Sequence, residues 1–279
     1  MKTTIYYFSG TGNSLHVSRV LAKILSDTTL IPITAALKFP KIETEADIVG
    51  MIFPIYAFSI PEPVKQFLTK TNFKSASYVF AISTRGCSSK VFRYINSLLS
   101  NSERTLDAFF SVQMAENYLP MFRMPSPDEI SRMESQMLSK LESVRREISA
   151  KNKIIPKDNF SVFLLANTLF PLLTFLNHKT KYSHLDTSLY SNSECDGCKV
   201  CEEVCLGDRI RVKSGLPEWD KEKPCTFCLA CIHYCPCKAI QIRNRRTDRK
   251  NRYHHPEVDY KDIAEQKIPL IVTERRSYM

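Results

Sequence analysis

The chain has 279 residues, of which 43% are hydrophobic and 24% are charged. These values are ordinary for globular proteins and exclude a chain that is disordered or collagen-like throughout, and the length predicts about two domains. The formal net charge of +10 counts every cysteine as a neutral thiol. Because any cysteine that ionises would lower this value, the charge does not by itself indicate a nucleic-acid-binding protein.

The N-terminal residues predict a protein of the cytoplasm. The sequence becomes polar and glycine-rich from Ser9, so it lacks the apolar region and the cleavage site of a signal peptide. The longest apolar stretch, from Val162 to Leu176, is interrupted by polar residues and by Pro171. It is also shorter than the roughly 18 to 20 residues that a membrane span requires. We therefore expect no transmembrane segment.

Residues 3 to 118 alternate between short strand-like runs and helical patterns. Runs rich in β-branched and aromatic residues predict strands, and the segments between them predict helices. Two runs, IVGMIF and YVFAI, are apolar without alternation, as in central strands that are covered on both faces. The pattern predicts an α/β domain with a doubly wound, parallel, five-stranded sheet. The predicted strands are TIYYF, TLIPI, DIVGMIF, SYVFAIS and AFFSV.

A long amphipathic helix is expected after this sheet. Apolar residues recur at steps of three and four over residues 130–148, after helix start signals at 126–128. Packing against the sheet is the expected role of this helix, with a dimer interface as the alternative. The apolar segment 160–176 fits a buried helix kinked at Pro171, a membrane-surface or partner-docking helix, or an irregular segment.

The first predicted strand runs into a hydroxyl-rich turn that precedes a helix. Free backbone N–H groups at a helix N-terminus, together with nearby hydroxyl groups, can bind a phosphate without a cation. The turn lacks the lysine of a nucleotide P-loop and the G-x-G-x-x-G spacing of a dinucleotide fold, so ATP and NAD are not the expected ligands. A tight connection without a ligand is the alternative. The turn consists of Ser9, Gly10, Thr11, Gly12, Asn13 and Ser14.

Two further loops are expected at the same edge of the sheet, because open α/β sheets bind ligands where their strands end. Residues 54–61 follow the third strand and offer aromatic side chains. Residues 83–88 follow the fourth strand and offer backbone groups and a glycine turn. A hydroxyl-rich phosphate loop combined with an aromatic residue on a neighbouring loop resembles the flavodoxin family, over residues 1 to about 150.

The flavodoxin resemblance implies an FMN site that is formed by these loops. Tyr56 would stack on the isoalloxazine ring, and Asn117 and Tyr118 would approach it. The alternative is that Tyr56 and Phe58 are core aromatic residues. The phosphate would be held by Ser9, Thr11, Gly12, Asn13 and Ser14. The remaining contacts would come from Pro54, Tyr56, Ala57, Thr84, Arg85, Gly86 and Cys87.

Nine of the ten cysteines lie between Cys195 and Cys237, and eight of them form two copies of the spacing C-x2-C-x2-C-x3-C. In a reducing compartment, such a density indicates metal ligation rather than disulfides. A four-cysteine zinc site uses two pairs, whereas each copy here has a third evenly spaced cysteine and a displaced fourth. The motif therefore predicts two [4Fe-4S] clusters. The copies are Cys195, Cys198, Cys201 and Cys205, and Cys225, Cys228, Cys231 and Cys235.

The fourth cysteine of each copy is displaced toward the neighbouring cluster, so the spacing predicts crossed ligation. One cluster would take Cys195, Cys198, Cys201 and Cys235, and the other would take Cys225, Cys228, Cys231 and Cys205. The motif resembles bacterial-type two-cluster ferredoxins over about residues 190 to 245, although Leu206 replaces the usual proline. Cys237 is expected to be a small buried residue, and a shifted ligand register that uses it stays open.

The order of the segments resembles a fusion family of electron carriers. We predict a flavodoxin-like FMN domain at residues 1–151, a helical connector at 152–188, a small α+β ferredoxin-like domain at 189–245 and a basic C-terminal extension at 246–279. The expected function is electron transfer between FMN and the two clusters. The expected partners are redox proteins as donor and acceptor, rather than nucleic acid.

Two other functions stay open. One is an FMN-dependent reductase of a quinone or another small substrate, fed by the clusters. No acid or base is identifiable for it, because His16 and His233 are expected to be surface or packing residues. The other is a docking module or nucleic-acid-binding regulator without FMN. The basic stretch at 243–252 would serve such a regulator, but we expect a solvated exit segment or docking face there, because no recognition helix or stacking motif is evident.

Overall fold

The computed structural model describes residues 1–56, 59–85, 89–100, 103–156, 188–243, 245, 247 and 251–268. Its N-terminal half is built on a five-stranded parallel sheet. The strands in chain order are β1 (Thr3–Tyr7), β2 (Thr28–Pro32), β4 (Ile48–Phe53), β6 (Tyr78–Ser83) and β7 (Ala108–Ser111). Their order in the sheet is β2-β1-β4-β6-β7, which is the flavodoxin-like order of a doubly wound sheet. The predicted fold class and all five predicted strands are therefore confirmed. A separate short pair is formed by β3 (Ile42–Glu43) and β5 (Thr71–Asn72).

Helices connect the strands of this sheet. Every residue of β4 and β6 is buried, as their unbroken apolar runs predicted, because central strands are covered on both faces. The helices of this half are α1 (Asn13–Leu25), α2 (Ile33–Ala36), α3 (Glu62–Lys70), α4 (Ser89–Leu99) and α5 (Pro127–Ser149).

The long helix predicted after the sheet is α5, and a capping box starts it. The Glu129 N–H donates to Ser126 Oγ at 3.3 Å, and the Ser126 N–H donates to Glu129 Oε2 at 2.8 Å. The periodic apolar face is buried from Met137 onward, and α5 packs beside α1. The helix therefore contributes to the main apolar core together with α1, whereas in its first turns only a few residues, such as Ile130 and Met133, are half-buried.

The cysteine motifs lie in a small α+β region. Strand β8 pairs with β11 and β9 pairs with β10, both antiparallel. Leu119 of the N-terminal half belongs to the apolar core of this region, so the two parts share packing. The elements are β8 (Leu189–Ser191), α6 (Val200–Glu203), β9 (Ile210–Lys213), β10 (Leu216–Trp219), α7 (Ala230–His233) and β11 (Ile240–Ile242).

Residues 251–268, which we call the C-terminal arm, return to the N-terminal half. The arm contains helix α8 (Tyr260–Glu265), and its Val258 and Ile263 are buried in the main core. The arm is thus packed against the rest of the molecule, whereas half of the basic stretch at 243–252 lies outside the described residues.

Several predictions fall outside the described residues. They concern the apolar segment 160–176 and most of the proposed connector, together with Ala57, Phe58, Gly86 and Cys87. Among the helices that the structure describes, none is both long enough and apolar enough to cross a membrane.

Candidate functional site

A cleft opens at the carboxyl edge of the sheet and holds about 370 Å³ of empty space, including its mouth. It lies where the ligand site of an open α/β sheet is expected. Most of its lining belongs to the three predicted loops, and Asn117 was also expected there. The lining residues are Ser9, Gly10, Thr11, Asn13, Ser14, Pro54, Ile55, Tyr56, Thr84, Arg85, Ala115, Glu116 and Asn117.

At the turn of residues 9–14, the backbone N–H groups of the first residues of α1 point out of the N-terminal end of the helix. Gly12 precedes the helix with a φ of +94°, in the left-handed region that favours glycine. The His16 N–H donates to Gly12 O at 2.8 Å, so the N–H groups of the helical residues before His16 point out of the helix end. These N–H groups are the donors that bind anions at helix N-termini.

Hydroxyl groups supplement these donors. Ser14 Oγ lies 3.0 Å from Thr84 Oγ1, at the end of β6, and both residues are buried. The Gly12 N–H donates to Ser9 Oγ at 3.1 Å, which leaves the Ser9 hydroxyl hydrogen available as a donor. The Asn117 side-chain amide donates to Thr11 Oγ1. The turn therefore concentrates neutral donors, as binding of a phosphate requires.

The Asn13 side chain is held by other parts of the protein. Its Nδ2 donates to Ala115 O at 2.9 Å, and its Oδ1 accepts from the Tyr253 hydroxyl at 2.7 Å. A contribution of Asn13 to phosphate binding would therefore come from its backbone N–H. Arg85 forms an ion pair with Glu116, so these two opposite charges of the cleft neutralise each other.

Tyr56 lies between the cleft and the second cysteine motif. A Cβ atom placed on Gly10 would lie 3.0 Å from the Tyr56 hydroxyl and 2.5 Å from Cys228 O, so the turn and the motif touch at this glycine. Burial, followed by the Cys228 and Cys225 thiols, raises the pKa of Tyr56 well above its usual value. The Tyr56 hydroxyl is therefore protonated at neutral pH.

The eight motif cysteines gather in two groups, and each group draws on both copies of the motif. The first group lines an open pocket with about 300 Å³ of empty space, including its mouth, and consists of Cys195, Cys198, Cys201 and Cys235. In the second group, Cys205 lies beside the first three cysteines of the second copy, whose pKa is raised mainly by burial and to a smaller extent by the charge of Cys205. The second group consists of Cys205, Cys225, Cys228 and Cys231. This is the grouping that crossed ligation requires.

The cysteine groups fit iron–sulfur cores by the chemistry of their donors. Burial, with a smaller contribution from neighbouring thiols, raises the pKa of Cys201 and of Cys228 to about 12, so their thiolates need a cationic core. Backbone N–H groups donate to the sulfurs of Cys205 at 3.3 Å, Cys225 at 3.4 Å and Cys235 at 3.2 Å. Hydrogen bonds of this kind are a recognised feature of cluster ligands.

The two groups have different charged neighbours. Arg209 is only 2% exposed, donates from Nε to Asp220 O at 2.9 Å and hydrogen-bonds the Cys225 side chain in the second group. The Asp196 carboxylate accepts from the Cys198 N–H at 3.1 Å beside the first group. A buried cation therefore faces the second group and an exposed anion faces the first.

Cys237 was expected to be buried, and this prediction is wrong. It is half-buried and forms a hydrogen bond with Asp196, which raises the pKa of the thiol to about 11. The reason is its position: it follows Cys235 by two residues and faces the rim of the first group rather than the core.

His233 connects the second motif to the cleft. It is buried, its Nε2 lies 2.8 Å from Asn117 O, and its Nδ1 accepts from the Tyr253 N–H at 3.1 Å. Burial lowers the pKa of His233 to about 4, so the ring is neutral and donates from Nε2. His233 is thus a packing residue, as predicted.

His16 is likewise buried against other residues rather than exposed to solvent. Its Nε2 lies 2.8 Å from Glu134 Oε1, and its ring stacks on His255 at 3.8 Å between ring centres. These three side chains bring their ligating atoms within 4.8 Å of one another. His16 is therefore a packing residue too, and its contact with the C-terminal arm was not predicted.

Four lining residues were not among the predicted ligand contacts. Gly10 and Ile55 lie within two of the predicted loops, so the loops themselves were the available signal. Ala115 and Glu116 follow β7, whose carboxyl end lies at the same edge of the sheet as the predicted loops. The contacts of the C-terminal arm had no signal in the sequence.

No family model matches this sequence. A subunit of an ion-translocating oxidoreductase complex of Methanosarcina acetivorans is 53% identical over 49 residues, which are 18% of this chain and 18% of that protein. An uncharacterized ferredoxin, MJ0155, of Methanocaldococcus jannaschii is 47% identical over 45 residues, which are 16% of this chain and 29% of that protein. The chain therefore matches less than a third of the length of either relative.

Among solved structures, a flavodoxin from the domain Archaea aligns over 52% of this chain and 99% of its own, at 15% identity and a TM-score of 0.33. The Trp repressor binding protein from Bacillus subtilis aligns over 50% of this chain and 96% of its own, at 14% identity and a TM-score of 0.29. The strand order independently gives the fold class of the N-terminal half. The chain thus joins a flavodoxin-like α/β domain to a ferredoxin-like cysteine region.

Proposed function

We propose that this protein is an electron carrier that binds FMN in the cleft and a [4Fe-4S] cluster at each cysteine group. FMN exchanges electrons singly or in pairs, whereas such clusters exchange them one at a time. The proposal rests on one observation above all, the contact between Gly10 of the turn and Cys228 of the second motif. This contact brings the cleft and a cysteine group together within one molecule.

In this proposal the turn holds the FMN phosphate. The N–H groups at the start of α1 and the hydroxyls of Ser9, Thr11 and Ser14 would donate hydrogen bonds to it. Tyr56, which is neutral and lies between the cleft and the second group, would contact the ring and exclude water. Pro54, Thr84 and Arg85 line the same cleft, and the ring contacts of Ala57, Gly86 and Cys87 stay predictions.

The first cysteine group is the proposed point of contact with external redox proteins. Its Cys198 is the exposed member of the eight motif cysteines, whereas the second group lies against the turn. Val212, Pro217 and Ile240 line the pocket of the first group and would limit access of water to it. The likeness to a component of an oxidoreductase complex supports redox proteins as the class of partner.

Anaerobic purification followed by iron, sulfide and flavin analysis tests the proposal. We expect about eight iron ions, about eight sulfides and about one FMN per chain, with flavin bands on a broad cluster shoulder in the visible spectrum. A cluster shoulder without flavin, even after addition of FMN, would instead support a docking module. A colourless protein with stoichiometric zinc would refute both the electron carrier and the cluster-bearing docking module.

A further inference from the structure

The C-terminal arm contacts the turn of residues 9–14 from outside the cleft. The described residues that line the cleft all lie at or before Asn117, whereas the arm begins at residue 251. The arm therefore reaches the turn without occupying the space that the proposed FMN would fill.

Gln266 makes the most specific of these contacts. Its side chain is fully buried, and both ends of its amide bond to the backbone of Ser9. Gln266 Oε1 accepts from the Ser9 N–H at 3.0 Å, and Gln266 Nε2 donates to Ser9 O at 2.8 Å. The amide thus pairs with the Ser9 backbone as a neighbouring strand would, at the first residue of the turn.

Other arm residues hold the rest of the turn. The His255 N–H donates to Thr11 O at 2.8 Å, and a Cβ atom placed on Gly12 would lie 2.9 Å from His255 Cβ. The Tyr253 hydroxyl donates to the Asn13 side chain at 2.7 Å. Contacts from the arm therefore fix the turn at its first, third, fourth and fifth residues.

We propose that Gln266 is a positioning residue of the flavin site, which holds the turn in the conformation that binds the FMN phosphate. This inference rests on the proposed function. A short turn with two glycines is flexible on its own, and ordering it when FMN binds would cost binding free energy. Because Gln266 orders the turn before FMN binds, this cost is avoided. The flavin site would then be shared between two segments that lie 257 positions apart in the chain.

FMN titration of the full-length, cluster-loaded protein after removal of its flavin tests the inference. Gln266→Leu keeps the size of the side chain and removes both hydrogen bonds, so we expect the dissociation constant to rise about tenfold or more, at unchanged iron content. Lys267→Met is the matched control. Lys267 Nζ bonds to Asp208 Oδ1 at 3.1 Å rather than to the turn, so this variant should keep the wild-type affinity.

Gln266→Glu distinguishes a role in positioning the turn from a general effect on the stability of the protein. The introduced carboxylate can accept from the Ser9 N–H but repels Ser9 O, whereas its protonated form restores the donor. Burial raises the pKa of such a carboxyl, so affinity relative to wild type should be low at about pH 8 and recover toward about pH 6. Gln266→Leu should show no such recovery. Hydrogen exchange in the flavin-free protein should be faster at the Ser9 amide of Gln266→Leu than in wild type.

The outcomes distinguish the positioning role of Gln266 from the proposed binding of FMN. A dissociation constant for Gln266→Leu within about twofold of wild type would overturn the positioning role and leave the FMN function intact. A wild-type protein that fails to bind FMN, although its Ser9 amide is protected, would overturn the proposed function and this inference together. If Gln266→Leu does not fold, the pH profile of Gln266→Glu decides, and a profile parallel to wild type overturns the inference.

Discussion

The hydroxyl pair of Ser14 and Thr84 belongs to the proposed phosphate site. We expect Ser14→Glu to lower flavin content at least about tenfold, because a carboxylate beside the phosphate adds repulsion and removes a donor. Iron content should stay at the wild-type value, since the cysteine motif meets the turn at Gly10 rather than at Ser14. Flavin and iron analysis of the purified protein measures both quantities.

Ser97→Glu provides the control for this prediction, because it makes the same substitution at an exposed position on α4. Equal flavin content in the two variants would contradict the assignment of the phosphate to the turn.

The His255 imidazole predicts a pH dependence of stability. Burial, followed by His16, lowers the pKa of His255 to about 4, against the opposing effect of Glu134; His254 also lowers it. Below pH 6.5 the unfolded chain binds a proton at this residue that the folded protein does not, so the free energy of unfolding is highest above pH 6.5 and falls toward about pH 4. Anaerobic denaturant unfolding at several pH values measures this fall.

His255→Gln removes the titrating group and should flatten the pH dependence over the same interval. The reference is the wild-type protein under identical conditions. Identical slopes for the two proteins would show that other groups, and not this imidazole, produce the acid sensitivity.

Among the elements, those with strong local signals were predictable. The apolar runs of β4 and β6 and the capped, periodic pattern of α5 each arise from neighbouring residues. The β3–β5 pair has two residues in each strand and no periodicity, so its pairing depends on surrounding structure. The short helices α6 and α7 lie within the cysteine motifs, where spacing of the thiols dominates the pattern.

The capping box stabilises the start of α5. Ser126→Ala should lower the free energy of unfolding by about 1 kcal/mol, because the N–H of Glu129 loses its acceptor. Arg123, followed by Ser126, lowers the pKa of Glu129 to about 2, so the carboxylate of the box is ionised at neutral pH. Urea unfolding of the anaerobic protein measures the change.

Ser135→Ala tests whether any serine of this helix would have the same effect. Ser135 is exposed in the middle of α5 and its hydroxyl bonds back to Ser131 O, so we expect no loss of stability. A loss equal to that of Ser126→Ala would mean that the cap is not the cause.

At the scale of the whole molecule, the grouping of the cysteines predicts which variants resemble one another. If ligation is crossed, Cys205→Ala and Cys228→Ala should lose the same cluster, although the two residues belong to different copies of the motif. Electron paramagnetic resonance during a reductive titration should then show the same signal missing from both variants, with the other signal retained.

Cys198→Ala is the comparison that decides this prediction. Under crossed ligation it should lose the signal that Cys205→Ala retains. A Cys205→Ala spectrum that matches that of Cys198→Ala would instead indicate that each copy of the motif holds its own cluster.

The candidate site was predictable where its chemistry imposes a local spacing. Phosphate binding at a strand-to-helix turn requires consecutive residues, and thiolate ligation requires short gaps between cysteines. The contact of Gly10 with Cys228 and the bonds of Gln266 to Ser9 join distant parts of the chain. A single glutamine, or a single contact between two backbone segments, leaves no pattern in a sequence. These two features could therefore be seen only in the structure.

The bonds between Gln266 and Ser9 also set an order of events during synthesis. A ribosome makes Ser9 early, but its partner emerges only after both cysteine motifs have been translated. The turn of residues 9–14 therefore lacks its Gln266 contacts while the cysteine region is being made. Nascent chains halted before residue 266 would lack this support. Under the proposed function, stable flavin loading would then follow translation of the cysteines that would bind the clusters.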